Sequence, residues 1–215
     1  MIALTVSLAR WQGGRAAEKA ALQATYDARS REAPVVVGGS TGAEALLYRR
    51  VRVAGTWMPE AQIFVDNRIR EGRAGFHVVT PLRIAGGARV VLVNRGWVAR
   101  TSAYPAPPPV AAPSGEAEVT GLASLPPRRY LELSGETVEG NVWQNLSLSR
   151  YAQRMRVDLI PVVVLADRTA DGLVPVREKP DTGIEKHREY ELTWYSLAAT
   201  LVALWTWYSF RKGAQ

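Results

Sequence analysis

From Leu192 to Phe210 the chain reads LTWYSLAATLVALWTWYSF, nineteen consecutive residues without a charged side chain. As an α-helix this run would extend roughly 28 Å, about the hydrocarbon thickness of a bilayer. Trp194 and Tyr195 stand at one end; Trp205, Trp207 and Tyr208 stand at the other. Amphipathic rings at both ends of an apolar run suit the two membrane interfaces, and the Arg211-Lys212 pair suits a cytoplasmic flank. The stretch therefore predicts a C-terminal transmembrane helix over residues 190–211. A buried core helix is the competing reading, but a core helix does not usually end in a short polar tail.

At the other terminus Met1 to Ala9 is apolar until Arg10 interrupts it. Nine residues are too few to cross a bilayer, and no basic segment precedes them as a signal peptide requires. The expectation is that residues 1–9 are the remnant of a first transmembrane helix, with a short signal-like anchor as the alternative. A complete first helix would put both termini in the cytoplasm. The main domain would then face the periplasm from a bacterial inner membrane.

Between these ends, 215 residues allow one sizeable domain and an appendage. The absence of cysteine excludes disulfides, thiolate metal sites and cysteine nucleophiles together. The net charge of +7 is spread in singles and pairs, from Arg49 to Arg100, rather than gathered in a basic run interleaved with aromatics. That distribution argues against a nucleic-acid partner and for attraction to anionic phospholipid. Residues 10–32 are rich in Ala, Leu, Glu, Lys and Gln and predict a connecting helix, with Trp11, Arg15 and Lys19 on one face and Pro34 ending it.

The periodicity then changes. Arg50 to Ala54 alternates, and short apolar runs follow at 62–66, 75–80 and 89–94, separated by turns such as Gly86-Gly87. Further strands are expected at 117–123, 141–145 and 161–166, a short helix near 147–155, and an extended proline-rich loop from Tyr104 to Ser114. The sum is an α+β membrane protein. Its core is a small antiparallel β-barrel or sandwich over residues 46–178, with a flanking N-terminal helix and the C-terminal transmembrane helix.

Several collinear stretches resemble the surfeit-locus-one family of cytochrome c oxidase assembly proteins. They are Trp11-Gln12 with Arg15 and Lys19, Val51-Arg-Val-Ala-Gly55 with Trp57, and Asp66-Asn-Arg68. Gly75-Phe-His-Val-Val-Thr-Pro-Leu82, Val91-Leu-Val-Asn-Arg-Gly-Trp-Val98, Asn141 with Trp143, and His187 through Tyr195 complete the set. The resemblance implies a transmembrane helix at each end and a periplasmic or intermembrane-space domain between them. It also implies a part in maturing oxidase subunit one, by binding haem a and aiding its insertion. The partners implied are subunit one, other oxidase assembly factors, membrane lipid and a haem a synthesis enzyme.

Only two histidines exist, His77 and His187. With no Gly-x-Ser-x-Gly elbow, no histidine pair at metal-ligand spacing and no phosphate loop, enzyme chemistry has no support in the residues. His187 is the candidate ligand for haem iron. If the C-terminal helix extends back to it, His187, Glu191 and Trp194 share one face. Tyr190 or Trp194 would meet the ring, and Lys186 or Arg188 the propionates. The plainer reading makes His187 an interfacial polar residue near headgroups. His77, mid-strand, reads as structural. Asn94-Arg95-Gly96-Trp97 is either a functional surface or a strand end with a buried Trp, and Arg68 and Arg95 are candidate partners of nearby carboxylates. Competing functions are a haem-free scaffold for nascent oxidase subunits and, remotely, a membrane-tethered hydrolase.

Overall fold

In the computed structural model the chain divides into two units, one made of Met1–Ala28 with Lys179–Gln215 and one of Arg29–Glu178. The structure describes residues 1–126, 138–177 and 183–213; part of the expected β domain, residues 127–137, lies outside the described residues. Along the chain the order is α1 (Ile2–Arg29), β1 (Val35–Val36), α2 (Ala43–Leu46), β2 (Arg50–Trp57), β3 (Ile63–Arg70), β4 (Arg73–Ile84), β5 (Val90–Ala99) and β6 (Glu116–Ser124). β7 (Val138–Glu139), β8 (Val142–Trp143), α3 (Leu148–Met155), β9 (Leu159–Ala166) and α4 (Ile184–Gly213) complete it.

The first unit is helical. Residues 2–9 and 10–29 lie on one unbroken helix, α1, and the uncharged stretch from Leu192 lies on α4. No helix among the described residues is long and apolar enough to cross a membrane. This overturns the transmembrane helix expected at 190–211. The physical reason is composition. Freedom from charge is not hydrophobicity, and Thr193, Ser196, Thr200, Thr206 and Ser209 share the stretch with three Trp and two Tyr. Each of those residues dilutes the transfer energy that Leu, Val and Ala supply. The hydroxyls of Thr193, Ser196, Thr200 and Thr206 donate to carbonyls one turn back, which satisfies them within the helix.

Among the described residues the second unit is built on one mixed sheet of nine strands in the order β1-β2-β6-β9-β5-β4-β3-β8-β7, with a further pairing of β2 with β4. It is not the expected antiparallel barrel or sandwich. Three pairs run parallel: β1 with β2, β3 with β8, and β5 with β9. The chain reaches β9 through α3, and that helical excursion brings β9 in beside β5 pointing the same way. Hydrophobic alternation reports which face a residue takes, not which neighbour its strand will find.

Strands β5 and β9 are buried on both faces. Val91, Val93, Val162 and Val164 enter one core with Val51, Val53 and Leu82. Their sequence neighbours Leu92, Val163 and Leu165 enter the opposite core with Trp143 and Tyr151. Both strands therefore read as continuous apolar runs. Each fully buried large side chain, such as Leu46, Ile63 or Phe76, contributes about 1.5–3 kcal/mol relative to exposure.

Pro81 marks a change of partner in the longest strand. β4 pairs with β3 as far as Ile63↔Val79 and with β2 from Trp57↔Leu82 onward. The missing N–H of proline falls between the two ladders, where no rung calls for it.

Candidate functional site

α4 begins at Ile184, so His187 lies on its first turn. Its Nδ1 is 2.6 Å from Gln12 Oε1 on α1. A carboxamide oxygen has no hydrogen to give, so Nδ1–H donates, and in the neutral imidazole Nε2 then keeps its lone pair. One residue on, Gly13 stands so close to Glu191 that a Cβ there would lie 2.5 Å from the carboxylate oxygen. The two helices of this unit thus meet through Gln12–His187 and Gly13–Glu191.

His187, Glu191 and Trp194 are half-buried, and Ala198 beyond them is buried, which makes one helical stripe. Tyr190 leaves that stripe and is 57% exposed, and Trp11 on α1 is also exposed. Lys186 and Arg188 are exposed on either side of His187. Of the residues expected around a bound haem, then, the structure puts His187 and Trp194 on one face and turns Tyr190 off it. Gln12 is the site residue that sequence reasoning missed. It sits beside Trp11 in a noted motif, but nothing local says that it faces a histidine 175 positions away.

A lone imidazole with its Nδ1–H anchored and its Nε2 bare is the arrangement of a metal-ligating histidine, whose second nitrogen is normally held by an acceptor. Among the described residues no three of His, Cys, Asp and Glu gather as a metal centre. What His187 can offer is therefore a single axial nitrogen, as a haem iron accepts. In that respect the residues fit a haem. Bound there, it would be held by His187 oriented through Gln12, with Lys186 or Arg188 available to its carboxylates.

The motif residues of the sheet take structural roles. At Gly96 a bulge makes Arg95 the extra residue of β5, with Val78↔Gly96 followed by Val79↔Asn94. The Arg95 side chain, 9% exposed, pairs with the half-exposed Asp171 at 2.6 Å and donates to Gln62 Oε1 and Ala111 O at 3.0 and 2.9 Å. Burial pulls its pKa down and Asp171 opposes that shift. Gln62 Oε1 also accepts from Thr80 Oγ1 at 2.8 Å, and Gln62 Nε2 donates to Val110 O at 3.1 Å. Trp97 is buried and its Nε1 donates to Arg68 O at 2.7 Å. These contacts make Asn94 to Trp97 a bulged strand end with a buried Trp, held in a polar network.

A second bulge, with Asn67 at φ 57, turns Asp66 onto Arg100. The guanidinium donates to Asp66 Oδ1 from Nε and Nη2 at 3.0 and 2.7 Å, and it lies 4.0 Å from the Tyr104 ring centre. The start of the proline-rich loop is thereby tied to the sheet.

His77 lines a cavity of about 40 Å³ with Arg68, Asn94 and Leu146. That is room for about one water. Burial, aided by the Arg68 charge, lowers its pKa to about 3. His77 is therefore a neutral structural residue.

The family model described as SURF1 family matches residues 1–199. A SURF1-like protein of Monosiga brevicollis is 27% identical over 98% of this chain and 85% of its own length. A SURF1-like protein of Rickettsia felis is 25% identical over 95% of this chain and 92% of its own. Surfeit locus protein 1 of Xenopus tropicalis is 28% identical over 98% of this chain and 74% of its own. Similarity thus runs through both the helical unit and the sheet, in bacterial and eukaryotic relatives alike. The chain belongs to the SURF1 family.

Proposed function

We propose that this protein is an assembly factor for cytochrome c oxidase, not an enzyme, and that it holds haem a through His187 while aiding its insertion into subunit one. Oxidase assembly is the role that family membership implies. The haem role is carried by one observation, the contact of His187 Nδ1 with Gln12 Oε1, which leaves Nε2 as a lone-pair donor. Haem supplies iron that takes an imidazole axial ligand. The chain's own part is to present that nitrogen, orient it through Gln12 and set cationic side chains beside it. A single protein ligand also suits a carrier whose cargo must leave.

Subunit one and other oxidase assembly factors are the partners in this reading, and the haem a synthesis enzyme is the source of cargo. Exposed Leu192, Leu204, Trp205 and Phe210 on α4 support contact with a lipid surface, with the β domain on the periplasmic side of an inner membrane; a membrane span forms no part of it.

The test is to co-express the protein with haem a synthesis enzymes, purify it, and record haem absorbance per mole. Wild type should carry haem and His187→Ala should lose it. Equal haem content in the two would remove the ligand role and leave a haem-free scaffold for nascent oxidase subunits.

A further inference from the structure

Strand β9 ends at Ala166 while its antiparallel neighbour β6 continues without it. β6 pairs with β9 only over Gly121–Ser124 but with β2 over Glu116–Leu122. Among the described residues the half-strand from Glu116 to Val119 therefore has a strand on one side alone. Residues of an antiparallel strand bond alternately toward one neighbour and the other. Thr120 accepts from Asp167 N at 3.0 Å, the last rung on the β9 side, while Gly115 accepts from Trp57 N at 3.0 Å on the β2 side. By that alternation Glu118 and Glu116 turn their N–H and C=O groups toward the side that β9 has left.

A groove of about 620 Å³ opens on that side. Trp57, Val93, Val119 and Ala166 give it apolar lining. Its wall carries Arg50 and Arg95, paired with Asp167 and Asp171 respectively, and a solvent-exposed Arg168. Paired within the wall or exposed to water, these arginines ask for no charge from an occupant. The free rungs ask for backbone and the lining asks for apolar side chains.

We propose that this groove receives an extended, uncharged segment of a partner protein, rich in β-branched residues, as an added strand beside Glu116–Val119. Two rungs, at Glu116 and Glu118, engage its backbone, while alternate side chains enter between Trp57 and Val119. The site deepens the assembly-factor reading by giving it a place to hold an unfolded client. It rests on that reading only for the client's identity.

The test uses the full chain and a fluorescent octapeptide of alternating valine and threonine, followed by anisotropy. We expect saturable binding that is lost when alternate peptide nitrogens are methylated. Glu118→Pro removes an N–H that is no rung to β2, so the β2–β6 ladder stays. It should weaken binding about tenfold, the worth of roughly one hydrogen bond. Glu118→Ala, which keeps the N–H, should bind within about twofold of wild type, well inside the effect of one such bond. Absence of saturable binding, equal binding of the methylated peptide, or an unchanged Glu118→Pro would overturn the proposal. So would self-association abolished by Glu118→Pro, which would assign the edge to a second copy of the chain. None of these readouts involves haem, so failure here leaves the His187 reading standing, and the reverse.

Discussion

His187 Nδ1 and Gln12 Oε1 lie 2.6 Å apart, joining the first turn of α4 to the middle of α1. The contact does two things at once. It couples the helices near the two ends of the chain, and it selects the imidazole tautomer with Nε2 bare.

From this contact, Gln12→Leu should lower haem content about 10–100-fold relative to wild type, the usual cost of losing an outer partner of a ligating histidine. Gln12→Glu, which still accepts from Nδ1–H, should restore most of it. Haem absorbance per mole of purified protein reads both. A Gln12→Leu protein as well loaded as wild type would show that the glutamine does not position the ligand.

In the sheet, Gln62 is the hub joining Thr80, Arg95 and Val110 O. Gln62→Leu keeps the volume but leaves a buried hydroxyl, one guanidinium nitrogen and a carbonyl short of partners. The expected loss is about 2–4 kcal/mol of unfolding free energy, read by urea denaturation. A loss below about 0.5 kcal/mol, the scatter of ordinary surface changes, would show that water takes over all three groups.

His77 gives the β domain a pH response. Its pKa in the fold, about 3, lies below the ordinary value near 6.5. The unfolded chain therefore takes up a proton first as pH falls, and stability present above pH 6.5 is lost on the way down to about 3. By pH 5 the loss should be roughly 1–2 kcal/mol. His77→Gln should flatten that part of the stability profile measured by chemical denaturation. A profile that keeps its slope in the variant would assign the acid sensitivity to other groups.

Two glycines make a contrasting pair. A Cβ on Gly121 would run into the backbone carbonyl of Leu165 on β9, which cannot yield without breaking the pairing. One on Gly13 would meet only the movable end of Glu191. Gly121→Ala should cost about 1–3 kcal/mol, as overpacking does. Gly13→Ala should be neutral or gain up to about 1 kcal/mol through helix propensity. Thermal melts of both variants decide it, and equal costs would refute the distinction.

Much of the secondary structure was legible from residue order. The alternation of Arg50 to Ala54 marks β2, and the apolar runs near Leu92 and Val163 mark β5 and β9, because side-chain periodicity records burial directly. Even the double-sided burial of those two strands is written in their lack of alternation. The stretch from Leu192 to Phe210 misled for a definite reason. Its lack of charge was legible, but its hydroxyls and indoles lower its hydropathy below that of a membrane span.

Residue order by itself determined where most helices and strands form and that catalysis by cysteine is impossible, since both follow from composition and short-range sterics. Which strand lies beside which was settled only in the folded state. So were the turning of Arg95 onto Gln62 and Asp171 by a bulge, and the meeting of His187 with Gln12. Those choices depend on contacts between residues tens to hundreds of positions apart, whose energies are realised only once the chain has closed on itself.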